Sequence, residues 1–164
     1  MPRASAHIVQ SGGQILLDRS DFALLDPKYL ELFDILAEKA PAGRLPGRQH
    51  FDPLDVPELI GFINLVEVHR NGRLRFRFRL HGTVQTDAAG RDVTGLFVED
   101  AVIPEFVGRI NGNMTMVVER KRPVYDRFQM PHPNRRYLDS ERVYYPLAAD
   151  GETVDMILIL NGYY

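Results

Sequence analysis

The chain has 164 residues, 45% apolar and 26% charged, which suits one ordinary globular domain with a single core. A formal charge of −2 gives no global pull towards nucleic acid or an anionic membrane, and no apolar run approaches the roughly 18 residues of a spanning helix. Without cysteine there is no disulfide, thiolate metal site or cysteine nucleophile, and MPRASAHIVQSGGQ lacks the apolar core of a secretory signal, so the cytoplasm is the expected compartment.

Residues 1–25 read as a mobile N-terminal segment, with room for one short strand or contact at Ile15-Leu16-Leu17. A single domain is expected over 26–164. Asp26-Pro27 is a helix start, a side-chain acceptor followed by proline at the first helical position. Tyr29, Phe33, Leu36 and Ala40 then recur at helical spacing until Pro41 and Gly43, giving an amphipathic helix over 27–40. Pro41, Pro46, Pro53 and Pro57 keep the next stretch extended, with a short helix from Asp52-Pro53 packing through Val56, Leu59 and Ile60.

Residues 62–81 read FINLVEVHR-NG-RLRFRFRLH. Leu74, Phe76, Phe78 and Leu80 alternate with Arg73, Arg75, Arg77 and Arg79, the period of a strand with unlike faces. Asn71-Gly72 points to a type I′ turn, so two antiparallel strands are expected over 62–70 and 73–81. Gly82-Thr83 ends the second strand, and Thr83 can cap a short helix that stops at Gly90. A loop over 91–101 pivots on Gly95, and Pro104 opens a longer helix over 103–119 with Ile103, Val107, Ile110, Met114 and Val117 on one face. Gly108 and Gly112 weaken that helix and permit close approach to its backbone.

Three strands follow. They run over 124–130, over 137–147 after a turn at Pro131, Pro133 and Asn134, and over 154–160 after Asp150-Gly151. Met156-Ile157-Leu158-Ile159-Leu160 is apolar without alternation, so the last strand is expected to be central and buried on both faces. One face belongs to the core helices, and the N-terminal helix is the best cover for the other. Three apolar side chains on that outer face would contribute about 5–8 kcal/mol before entropy.

This order of elements resembles a PAS domain. More closely, it resembles a single-domain PAS subfamily common in alphaproteobacteria, through Leu45-Pro46-Gly47-Arg48, Phe51-Asp52-Pro53, Phe78-Arg79-Leu80-His81-Gly82-Thr83, Gly90-Arg91-Asp92-Val93-Thr94-Gly95 and Arg122-Pro123-Val124. The resemblance departs at Tyr29, followed here by Leu30 where tryptophan is frequent. It implies an α+β fold: a five-stranded antiparallel sheet of order 2-1-5-4-3, helices on one face and the N-terminal helix against the other. It also implies a signalling module that binds a small ligand, a protein partner or both, and no catalysis.

The resemblance places a pocket between the sheet and the long helix. Phe76, Phe78, Leu80, Val107, Gly108, Ile110, Gly112, Met114, Tyr125, Tyr144 and Met156 or Ile157 are its candidate lining, the glycines leaving space and the tyrosines adding polar groups. Solid core is the alternative for all of them. PAS flavin photochemistry and covalent chromophores rely on a cysteine, which is missing. Haem usually takes a helix histidine, which 103–119 lacks, leaving His81 as an axial candidate. A colourless protein without cofactor is expected.

No histidine pair has the spacing of a helical zinc site, and no Ser/His/Asp grouping is evident. Glu67 and His69 share a strand face without a pocket partner. The arginine row wants anions, from Glu67, from Glu31, Asp34 and Glu38, or from a partner protein; Arg79 is expected to pair with Asp92 near the pocket mouth. Gly82, Thr83 and Gly95 complete the motif positions. Tyr29, Phe33, Leu36, Arg75 and Arg77 form the expected interaction face, and a homodimer is expected to cover the outer sheet and its edge strand. The leading expectation is a cytoplasmic bacterial sensor whose output is protein interaction with an unknown signalling partner. A ligand-free interaction adaptor comes second and a small α+β enzyme third.

Overall fold

The apolar run at 156–160 lies inside the sheet, where the absence of alternation requires it to be. The computed structural model describes residues 14–132 and 135–163. Its strands are β1 (Ile15–Leu16), β2 (Ile63–His69), β3 (Arg75–Leu80), β4 (Val124–His132), β5 (Arg135–Leu147) and β6 (Met156–Tyr163). The helices are α1 (Pro27–Lys39), α2 (Thr83–Ala89), α3 (Val98–Ala101) and α4 (Pro104–Arg120), with short 3-10 turns at 19–24, 48–50, 53–55 and 57–62. All strand pairs are antiparallel, in the order β1-β4-β5-β6-β2-β3. Without β1 this is the expected five-strand order; β1 is a sixth, two-residue strand on the outer edge of β4.

Alternation along β6 splits the interior into two cores. Ile157 and Ile159 face the inner side, with Val66, Phe76, Ile110, Met114, Val117 and Tyr144. Leu158 and Leu160 face the outer side, with Leu65, Val143, Tyr145 and, from α1, Tyr29, Leu32 and Leu36. The N-terminal helix is therefore the second cover. Asp26 caps it by accepting from the Lys28 backbone N–H at 3.1 Å, with Pro27 in its first turn.

Three expectations are corrected. Of the N-terminal segment, residues 1–13 fall outside the described residues and Ile15–Leu16 form the short strand expected there, but 18–25 are not mobile: Phe22 and Leu25 join Leu17 in the outer core, because the turn at 19–24 carries the chain over its rim. The hairpin after β2 is not a two-residue type I′ turn. Gly72 has φ +84°, but Asn71 does not enter the left-handed region, and the ladder already ends at His69–Arg75. Pro131 lies within β4, while Pro133 and Asn134 fall outside the described residues.

Each sheet edge is covered in part within the chain, that of β4 only at Val124–Tyr125. β1 lies along β4, and the loop after α2 runs along β3, where Phe78 N–H donates to Leu96 O at 2.9 Å and Gly95 N–H donates to Phe78 O at 2.7 Å.

Candidate functional site

The site begins with a slip in the β2–β3 ladder. Val66 pairs with Phe78 but Leu65 pairs with Leu80, so Arg79 is an extra residue, a β-bulge. One extra residue exchanges the faces of everything after it. Phe76 and Phe78 point inwards, whereas Leu80 follows Leu65 to the outer side and is 43% exposed. His81 thereby turns inwards. The chain then packs tightly on itself at Gly82, where a Cβ would collide with Gly61 O and Ile63 O, and Gly82 N–H donates to Asn64 Oδ1 at 3.0 Å. This contact starts α2 at Gly82 rather than at a Thr83 cap.

Between α2, α3, the start of α4 and the inner face of the sheet lies a cavity of about 840 Å³. Its apolar wall includes Phe78, Val93, Val102, Ile103, Ile110 and Met130. Its polar wall is Asn64, His81, Gln85 and Arg142, and of these Asn64, Gln85 and Arg142 are buried. Arg91, Glu99 and Asp100 line the cavity from exposed positions. Burial pushes the His81 imidazole below the ordinary histidine range; Asp92 opposes that shift and the Arg142 charge adds to it. His81 Nδ1 is held by Thr86 Oγ1 at 3.0 Å.

Beside the cavity an ion pair between a half-exposed arginine and a buried carboxylate clamps α4 to β4. Asp126, 0% exposed, accepts from Arg109 Nε at 2.8 Å, Arg109 Nη2 at 2.6 Å and Asn113 Nδ2 at 2.8 Å. Asn113 Nδ2 also reaches Tyr144 Oη at 3.3 Å, and burial raises that phenol above its ordinary range. On the opposite face Tyr125 Oη donates to Glu141 Oε2 at 2.6 Å, both fully buried.

A sequence profile of the PAS domain family matches residues 26–160. The chain belongs to the PAS domain family. No curated protein matches it. Among solved structures it is similar to the PAS domain of a protein from Colwellia psychrerythraea, at 15% identity and a TM-score of 0.48, over 69% of this chain and 98% of that one. PAS domains are in general sensory or signalling modules, not enzymes.

In this PAS domain the expected lining residues divide. Phe78 and Ile110 line the cavity. Phe76, Met114, Tyr144 and Ile157 are in the inner core beside it, and Val107 packs against that core half-buried. Tyr125 faces the outer core, one step out of phase with Val124 and Phe128, and Met156 packs there too. Gly108 and Gly112 are exposed, and a Cβ on either would meet nothing within 4 Å, so neither makes room in the pocket.

Asp92 caps its own turn instead of meeting Arg79, accepting from Thr94 N–H at 2.9 Å and Thr94 Oγ1–H at 2.7 Å. No ion pair among the described residues joins it to Arg79, which the bulge leaves exposed. Gly95, at φ +88°, is the expected pivot, and its carbonyl accepts from Arg77 Nε at 3.0 Å.

The interaction face is largely spent inside the chain. Tyr29 and Leu36 are buried and Phe33 stacks near Phe22. Arg75 lies 3.8 Å over the Phe97 ring and Arg77 sits 3.6 Å from Glu67. Asn64, Gln85 and Arg142 were not singled out by sequence. The available signal was that β5 neighbours a strand buried on both faces, so Ser140-Glu141-Arg142 had to be buried too.

Among the described residues no group of three or more His, Asp or Glu side chains could hold a metal ion. No described helix is long and apolar enough to cross a membrane.

Proposed function

We propose that this PAS domain is a cytoplasmic sensor that binds a small organic ligand in the inner cavity and signals through protein–protein interaction, as a homodimer. The observation that carries the reading is the cavity itself, about 840 Å³ with buried polar side chains beside an apolar wall and charged residues at its rim. That volume and mixed lining suit a small-molecule site.

The route from ligand to partner is strand β5. Arg142 lines the cavity, while Glu141 and Val143, its neighbours in the chain, point to the outer face beneath α1. A displacement of Arg142 is passed to α1, which presents its remaining surface to a signalling partner. The motif pieces from Leu45 to Val124 support a place in the single-domain alphaproteobacterial subfamily.

The test is native mass spectrometry of the purified protein together with thermal denaturation across a library of small organic acids, amines and neutral compounds. A co-purifying molecule, or a compound that raises the Tm and loses its effect when Val102→Trp fills the cavity, supports the reading. A protein that carries nothing and responds to nothing is a ligand-free interaction module instead. Light scattering at tens of micromolar is expected to give twice 18.7 kDa.

A further inference from the structure

The arginines that this fold buries or half-buries in its β4–β5 region are not alike. Arg109 is paired with Asp126 at 2.6 Å and Arg127 with Asp139 at 2.7 Å. Arg142 is the most buried, at 7% exposure, and no carboxylate among the described residues pairs with it. Its described contacts are Ser140 Oγ at 3.0 Å, Met130 Sδ at 3.7 Å, the Phe128 ring at 5.0 Å and the neutral Tyr144 hydroxyl, none of them an anion. Its Nε is buried with no hydrogen-bond partner.

Asp126 stands directly opposite in the ladder, but its carboxylate already accepts from Arg109, Asn113 and the Arg127 backbone N–H. Glu141, next in the chain, points to the other face and binds Tyr125. A buried guanidinium without an anion is costly, and this one forms part of a cavity wall.

Two polar groups beside it have capacity to spare. Asn64 has its Oδ1 occupied by Gly82 N–H, which leaves its NH2 group for the cavity. His81 has Nδ1 engaged with Thr86, which leaves Nε2. The carboxylates nearby are on the rim. Glu99 is met by Arg75 at 3.9 Å and Asn111 Nδ2 at 3.4 Å, and Asp100 is exposed. Gln85 and, at the rim, Arg91 are the other polar lining, Arg91 donating to Asp100 O at 2.8 Å; the rest of the wall is apolar, from Phe78 and Val93 to Ile110 and Met130.

We propose that the cavity binds a monocarboxylic acid with an apolar body, its carboxylate held by Arg142 together with Asn64 and His81 and its aryl or alkyl portion against Phe78, Val93 and Ile110. One unpaired buried cation calls for one negative charge, and a guanidinium matches a carboxylate in shape as well as sign. The inference rests on the cavity being a ligand site, as proposed above, and names the chemistry of its occupant.

The experiment uses the full chain and matched probes: 4-phenylbutyrate and octanoate, their primary amides, 4-phenylbutylamine and phenyl phosphate, each by thermal shift and calorimetric titration. The acids are expected to bind at least about thirtyfold more tightly than the amides. Arg142→Met is expected to abolish that preference while leaving the ligand-free protein as stable as before or more so, since it removes an uncompensated buried charge. Asn64→Asp is the second variant: it can still accept from Gly82 N–H, places a carboxylate on the cavity wall and is expected to expel the acids but not the amides.

Amides, amine or phosphate binding as well as the acids, or acid binding that survives both variants, overturns the carboxylate assignment and leaves the cavity as a site for another ligand. No binding by any probe, with no hit in the wider library, overturns the cavity reading as well.

Discussion

The two faces of one sheet are built differently. The outer face is filled at its centre: α1 and the segment 15–25 pack it with Leu17, Phe22, Tyr29, Leu32 and Leu36, leaving a smaller cleft of about 400 Å³ at the rim between the end of α1, residues 41–46 and Pro123, and its buried carboxylate, Glu141, is met by Tyr125 at 2.6 Å. The inner face is closed at one end only. Around Phe76, Val117, Tyr144 and Ile157 it is solid; beyond the bulge at Arg79 it opens into a cavity with a buried cation that no carboxylate among the described residues pairs. Neighbouring residues of β5 supply both chemistries, Glu141 outwards and Arg142 inwards. A satisfied charge beneath a helix adds to stability, whereas an unsatisfied one in a cavity wall costs stability, and that cost is what the proposed ligand would relieve.

Core truncation should separate the faces most strongly. Leu158→Ala, in the closed outer core, is expected to cost about 3–5 kcal/mol in urea denaturation, because its neighbours on two layers cannot collapse into the gap. Met130→Ala, half-buried beside a space that already exists, should cost about 1 kcal/mol or less. Equal losses would remove the distinction between a packed face and an open one.

The α4 clamp gives the next largest effect, and an asymmetric one. Arg109→Ala strands Asp126, which is wholly buried, and is expected to cost about 3 kcal/mol or more. Asp126→Ala leaves an arginine whose side chain is 35% exposed and can turn to water, so its cost should be smaller by about 1 kcal/mol or more. Chemical denaturation of the two variants checks the order; a larger loss for Asp126→Ala would mean that Asn113 and Tyr144, not the ion pair, carry the clamp.

Much of the closed face was legible in the sequence. Met156–Leu160 lacks alternation, so its strand had to be central, and Asp26-Pro27 with apolar spacing from Tyr29 announced the helix that covers it. The open face was not legible, because it depends on one backbone slip. Nothing in RLRFRFRLHG marks Arg79 as the bulged residue, yet that slip sends Leu80 out and brings His81 in. Period-two reading fails wherever register shifts. Tyr125 was misplaced for a simpler reason: its strand was found, but not which of its alternating sets faced α4. Arg142 was overlooked because an arginine in a strand is ordinarily at the surface.

The helix glycines offer a smaller effect with a definite sign. Gly108 and Gly112 sit on the solvent side of α4, where a methyl group meets nothing. Replacing each by alanine should therefore stabilise the domain by about 0.5–1 kcal/mol through backbone entropy alone, without altering the cavity. If either variant is destabilised or changes ligand binding, that surface of α4 is in use in the assembled protein, and a dimer or partner contact there becomes the leading explanation.

The smallest expected effect is a pH slope from the open face. His81 loses water on folding, so its imidazole titrates below the ordinary histidine value and the fold favours the neutral ring. Below about pH 6.5 the unfolded chain takes up a proton that the folded chain resists, so this contribution to stability is complete above that pH and is lost as the pH falls towards the lower, folded value. The urea midpoint of the ligand-free protein should decline over that interval, and His81→Gln should flatten the decline. A slope that persists unchanged in the variant would assign it to other groups and leave His81 exposed to water instead of turned into the cavity. A bound carboxylate acts in the opposite sense, favouring the protonated ring, so adding 4-phenylbutyrate should shrink the His81-dependent slope and do nothing to the residual slope of the glutamine variant.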